Sequence, residues 1–116
     1  MIEPSLVGLG GTVGAVLRFW VSSRFESGSY PTATLVVNVL GSFALGALSF
    51  GSVPEQLWLF LGVGVCGSFT TFSSFTVSTV RLWEFDNPAR AVGFAILNLV
   101  GAVAAIGLAA LLWGRL

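Results

Sequence analysis

The sequence predicts an all-α membrane protein built from four transmembrane helices, and three observations predict it. Of its 116 residues, 55% are hydrophobic and only 9% are charged, too few charges to cover the surface of a soluble domain of this length. Charged residues are absent from Pro4 to Leu17, Ser27 to Pro54, Gln56 to Val80 and Ala91 to Gly114. Pro4, Pro31, Pro54 and Pro88 each precede one apolar segment or open it, where a missing backbone N–H does least harm to a helix.

About 20 apolar residues in helical form span a hydrocarbon core, so the last three segments qualify by length alone. The first qualifies once Arg18 snorkels toward the interface. The helices are expected near 4–24, 32–51, 55–82 and 89–113, joined by the short loops Arg24–Pro31, Gly51–Pro54 and Glu84–Pro88. These loops leave room for one domain, 1–116, and no soluble module. Trp20, Trp58, Trp83 and Trp113 fall near the expected helix ends, where an amphipathic ring favours the headgroup layer. The N-terminus lacks a basic stretch and its apolar pattern resumes at once, so a cleavable signal peptide is not expected.

Small residues suggest close packing. Gly10 and Gly14 form a GxxxG pair, and Ser42 with Gly46 repeats that spacing. Four short helices enclose little volume, so some of these faces are expected to meet a second subunit in a dimer. Arg24, Arg81 and Arg90, with Arg18, lie toward the first and third loops, whereas Arg115 lies toward the termini. The positive-inside tendency then places both termini outside.

Several function classes are excluded by what is missing. Glu3, Glu26, Glu55, Glu84 and Asp86 all lie at or beyond the expected helix ends, so no carboxylate sits mid-span. A proton-coupled exporter of organic cations needs one there. Without histidine or lysine, the hydroxyls have no base to activate them, which argues against an intramembrane enzyme. Cys66 is the only cysteine, so no intrachain disulfide forms. A net charge of zero gives no reason to expect nucleic acid as a partner.

Polar residues inside the spans carry the functional signal. Thr34, Asn38, Ser42 and Ser49 fall within an arc of roughly 80° on the second helix, one polar stripe on a greasy cylinder. Asn38 must find a partner in lipid, either as a bond between helices or as part of a path for something polar. In the third span, Gly62, Gly64 and Gly67 precede Ser68-Phe69-Thr70-Thr71, a run weak in helix propensity. It is either a glycine-rich packing face or a break that frees backbone groups at mid-membrane depth, where they persist only if buried in protein or bound to an ion. Phe72 and Phe75, an i, i+3 pair, stand among Thr71, Ser73, Ser74, Thr76, Ser78 and Thr79. Ring edges are positive, so with hydroxyl donors they suit a small anion without any formal charge. Asn98 adds one polar mid-span residue to the fourth helix.

Together these residues resemble a known family. Gly67-Ser-Phe-Thr70-Thr-Phe72-Ser-Ser-Phe75 is similar to the third-helix signature of the Fluc (CrcB-type) fluoride channels. Gly10-Gly-Thr-Val-Gly-Ala-Val-Leu-Arg18, Asn38-Val-Leu-Gly41 and Asn98-Leu-Val-Gly101 fit in the same order, so the resemblance covers essentially the whole chain. It implies a passive fluoride-selective channel that sheds cellular fluoride, assembled as an antiparallel dimer with two pores. It also implies a break in the third helix and one structural sodium ion (Na+) at the dimer interface. On this sequence, the implied sodium ligands are the backbone carbonyls of Gly67 and Thr70, and the implied anion pathway runs past Asn38, Phe72 and Phe75 with Ser73 and Ser74. The chain departs from the pattern at Ser68, usually a second glycine, and at Ser78, where many relatives carry glutamate. Its arginine bias bears on assembly too: a homodimer is expected, with a heterodimer of oppositely oriented homologues as the alternative. A small proton-coupled multidrug exporter and a non-conducting membrane scaffold are the competing readings of function.

Overall fold

The computed structural model describes residues 2–25 and 30–114, and every regular element among them is helical. Glu26 and Arg115, which entered the reading of the loops and of orientation, lie outside the described residues. Helix α1 spans Ile2–Phe25 and α2 spans Thr32–Phe50. The third span runs as α3 over residues 55–69 and α4 over Ser73–Phe85, and α5 spans Pro88–Leu112. Four spans are long and apolar enough to cross a membrane. The molecule's long axis, 45 Å, matches a bilayer with its headgroup layers, about 40–45 Å.

The third span differs most from an ordinary helix. It starts in α geometry at Glu55–Leu57, widens into π-helical turns over Trp58–Cys66, and returns to α geometry over Gly67–Phe69. Thr70 is then extended, with φ −78° and ψ 159°, so the helix expected over 55–82 is two helices separated at residues 70–72. The second of them continues to Phe85.

Local sequence explains the other ends. Asn87 caps α5 by accepting the Ala89 N–H at 2.8 Å, with Pro88 at the first helical position. Asp86 pairs with Arg90 across the same turn. Ser52, at φ 57°, makes the left-handed turn between α2 and α3. Arg24 lies over the Trp20 ring and Arg90 over the Tyr30 ring, 4.9 and 5.1 Å from the centroids.

Packing divides the bundle into two close pairings joined by the third span. Helix α1 presses on α3, with Gly10 and Gly14 of α1 against the backbone at Phe60, Gly64 and Val65. A Cβ on Gly14 would stand 2.2 Å from the Val65 carbonyl, so only glycine permits this approach. Ser68 sits at the same crossing and donates to the Gly11 carbonyl at 2.7 Å. Helix α2 packs on α5, where Gly46 meets Ala109 and Ile106. Helix α4 joins that second pairing through Leu82, Ala91 and Phe94, backed by Tyr30, Leu35 and Phe75.

Candidate functional site

Breaking a helix at mid-membrane leaves peptide groups that water cannot reach. Here two side chains meet them. The Asn38 amide on α2 pairs with residue 71 at both ends: its Oδ1 accepts the Thr71 N–H at 2.8 Å, and its Nδ2 donates to the Thr71 carbonyl at 3.1 Å. The second Nδ2 hydrogen goes to Asn98 Oδ1 on α5 at 3.0 Å. Asn98, 6% exposed, donates its own Nδ2 to the Phe94 carbonyl at 2.9 Å, which fixes which way its amide faces. The other side chain is Thr71 itself, whose Oγ1 accepts the Ser74 N–H at 3.0 Å in the first turn of α4.

The break takes the helical donors from the carbonyls of residues 67–70, and at two of them these bonds show where the donor has gone. In a continuous helix the Thr71 N–H would bond the Gly67 carbonyl, and the Ser74 N–H would bond the Thr70 carbonyl. Both donors are diverted, one to Asn38 and one to the Thr71 hydroxyl. Gly67 and Thr70 therefore lose their helical partners together. The Thr70 hydroxyl is turned away from this task, donating to the Cys66 carbonyl at 2.9 Å. Oxygen-only ligation by backbone carbonyls suits a hard cation, so the donor set fits a sodium ion.

Aromatic rings flank the break. Phe72 and Phe75 lie 5.8 Å apart, tilted by 40°, and Phe75 stacks on Phe94 at 5.7 Å and 28°. Tyr30 meets Phe94 edge-on at 5.6 Å. One face of Phe75 is covered by Phe94, and its ring lies beside Phe72. Phe72 is 79% exposed.

The polar stripe of α2 opens onto three clefts in turn. Thr34 shares one of about 290 Å³ with Ser22, Ser73, Ser74 and Ser78. Asn38 and Ser42 line a groove of about 360 Å³ with Thr70, Thr71, Phe72, Phe75 and Asn98. Ser49 reaches a third, beside Glu55 and Trp58. No formal charge lines the first two. The residues singled out from the sequence thus divide: Asn38, Thr70, Phe72 and Phe75 share the groove, Ser73 and Ser74 the hydroxyl cleft, and Gly67 lies outside both, on an exposed surface.

Sequence reasoning did not identify the role of Thr71 or of Phe94. Thr71 was legible as a Thr-x-x-Ser hydroxyl-to-backbone contact once a break was assumed. Phe94 carries no such signal, being one apolar residue among many on α5.

Comparison with known proteins gives concordant results. The family model for CrcB-like protein, Camphor Resistance (CrcB), matches residues 5–112. A protein of Haloarcula marismortui named fluoride-specific ion channel FluC 2 is 50% identical over 109 residues, covering 94% of this chain and 89% of its own. Fluoride-specific ion channel FluC 1 of Halobacterium salinarum is also 50% identical, over 107 residues, covering 92% and 90%. Fluoride-specific ion channel FluC of Paramagnetospirillum magneticum is 41% identical over 114 residues, covering 90% and 86%.

Proposed function

The chain belongs to the CrcB-like family, and from that membership we propose that it is a passive, fluoride-selective channel of the cell membrane that lowers cytoplasmic fluoride. The observation that carries this reading is the polar stripe of α2, which opens onto a hydroxyl cleft and a groove where neutral polar groups and aromatic rings stand among aliphatic side chains, with no formal charge. Fluoride is small and tightly hydrated, so it enters only where other groups replace its water. Many weak neutral contacts suit conduction, because entry must be favourable while exit stays easy. Ser73 and Ser74 offer hydroxyls at the cleft, Phe72 and Phe75 offer ring edges at the groove, and Asn38 stands between them.

A second subunit belongs to this reading. The groove holding Asn38, Ser42, Thr70 and Asn98 is open rather than enclosed, and polar groups facing lipid at that depth are costly. An antiparallel homodimer covers it, with an oppositely oriented homologue as the alternative partner. Sodium, held by the Gly67 and Thr70 carbonyls at the interface, would neutralise oxygens that have lost their helical donors.

One observation favours a second reading, a non-conducting scaffold: both Asn38 amide hydrogens are already bonded within the chain. Flux decides between them. Purified protein is placed in liposomes, and fluoride efflux is followed with valinomycin carrying potassium and chloride efflux as control. Rapid fluoride loss with negligible chloride loss is expected. No efflux from folded, inserted protein would overturn the homodimeric channel.

A further inference from the structure

A helix does not stay broken merely because its residues are poor helix formers; something must compete for the Thr71 N–H, or that N–H returns to Gly67. The competitor is Asn38 Oδ1, at 2.8 Å. What aims that oxygen is a residue 60 positions further along the chain. Asn98 Oδ1 takes the Asn38 hydrogen not used on Thr71, and Asn98 is itself fixed by its bond to the Phe94 carbonyl. An amide with one hydrogen bonded to Thr71 and the other to Asn98 has no freedom to rotate.

We propose that Asn98 is a positioning residue for the cation site: by orienting the Asn38 amide it keeps the Thr71 N–H off the Gly67 carbonyl, so that this oxygen remains available to the ion. Asn98 touches neither the ion nor its ligands. Its effect passes through Asn38 alone, and the inference rests on the sodium reading of the break.

The consequences differ from those of an ordinary packing residue. Losing a packing contact lowers stability equally with and without sodium. Losing the Asn98 acceptor lets the Asn38 amide turn, lets the Thr71 N–H rebond to Gly67, and weakens sodium binding specifically. Asn98→Leu keeps the branched shape without an acceptor. Asn98→Asp, neutral at this depth, keeps an acceptor toward Asn38 and a donor toward the Phe94 carbonyl.

The test is thermal unfolding of the whole protein in detergent across a sodium titration, with N-methylglucamine as replacement cation. Wild type should be stabilised by sodium as a ligand that binds only the folded state. For Asn98→Leu the half-saturating sodium concentration should rise about tenfold, the equivalent of one lost hydrogen bond, while Asn98→Asp stays near wild type. Asn38→Ala should show the same rise, and adding Asn98→Ala to it should add nothing further. If Asn98→Leu does not fold, Asn98→Ala takes its place in the titration. A wild-type midpoint in the acceptor-free variant, or additive effects in the double variant, would overturn the proposal. A wild type indifferent to sodium would overturn the cation reading beneath it instead.

Discussion

Gly14→Ala is the sharpest test of the close crossing between α1 and α3. The new Cβ would lie 2.2 Å from the Val65 carbonyl oxygen and 2.1 Å from Ser68 Oγ. Ser68 can rotate away, but the carbonyl belongs to a helix backbone. Real Cβ contacts are essentially never under 3.0 Å, so the helices must separate by about 0.8 Å. The Ser68–Gly11 bond, 2.7 Å in the native crossing, then stretches to about 3.5 Å and is effectively lost. The hydroxyl keeps the Gly64 carbonyl at 3.0 Å as a partner, so that loss costs at most about 1 kcal/mol. The opened seam forfeits a further 1–3 kcal/mol or so. Alanine's better helix propensity returns at most ~1 kcal/mol. The net destabilisation is about 1–3 kcal/mol. Gly8→Ala is the control: no atom lies within 4 Å of its would-be Cβ, so the same propensity gain stands unopposed. Thermal unfolding in detergent, followed by helical circular dichroism, should lower the midpoint of Gly14→Ala and leave Gly8→Ala level or raised. Equal midpoints for the two variants would refute the close approach.

Two further outcomes follow from the break. Thr71→Val removes the hydroxyl that accepts the Ser74 N–H and should cost about 1 kcal/mol of stability by thermal unfolding, the usual net worth of one hydrogen bond, whereas Thr71→Ser should be close to neutral. Phe72→Ala alters a side chain 79% exposed in its own subunit, so unfolding of the isolated subunit should change by no more than about 0.5 kcal/mol. Its fluoride efflux should nevertheless fall on the order of tenfold, which corresponds to about 1.4 kcal/mol at the barrier. A wild-type efflux rate would remove Phe72 from the route.

The spans were legible because charge is so scarce: a stretch such as Ala91–Gly114 has one physical solution in a membrane. The break was legible as a weak run in the third helix, where Gly62, Gly64 and Gly67 lead into Ser68-Phe69-Thr70-Thr71, residues poor in helix propensity. It yields at residues 70–72, where tertiary partners are available, and not at the glycines themselves. Gly62 and Gly64 instead sit within the π-helical turns, geometry that propensity does not encode. Asn38 announced itself as an amide in a greasy helix. Its partner did not, because that partner is the backbone of a threonine 33 residues away. Ser68 likewise reads as a substitution without a purpose until Gly11 is seen across the crossing.

The placement of the break follows from an accounting of peptide groups. Leaving one N–H and one carbonyl unmet in lipid costs several kcal/mol, more than weak helix formers could offset. The threonine hydroxyls here each meet one backbone group, Thr71 an N–H and Thr70 a carbonyl. An asparagine can satisfy both ends of one residue, as Asn38 does for Thr71. The amide therefore replaces a helical turn for residue 71 and displaces the vacancy backward, onto the Gly67 carbonyl, while the Thr71 hydroxyl does the same to Thr70. Diverting the Thr71 and Ser74 donors to side chains is what leaves the Gly67 and Thr70 carbonyls without helical partners. In a protein whose spans carry no acid at mid-membrane, the proposed cation site would draw its negative partial charge from backbone alone. On the proposed reading, cation binding there would depend on the Asn98–Asn38–Thr71 chain, and a substitution that heals the helix would remove the site.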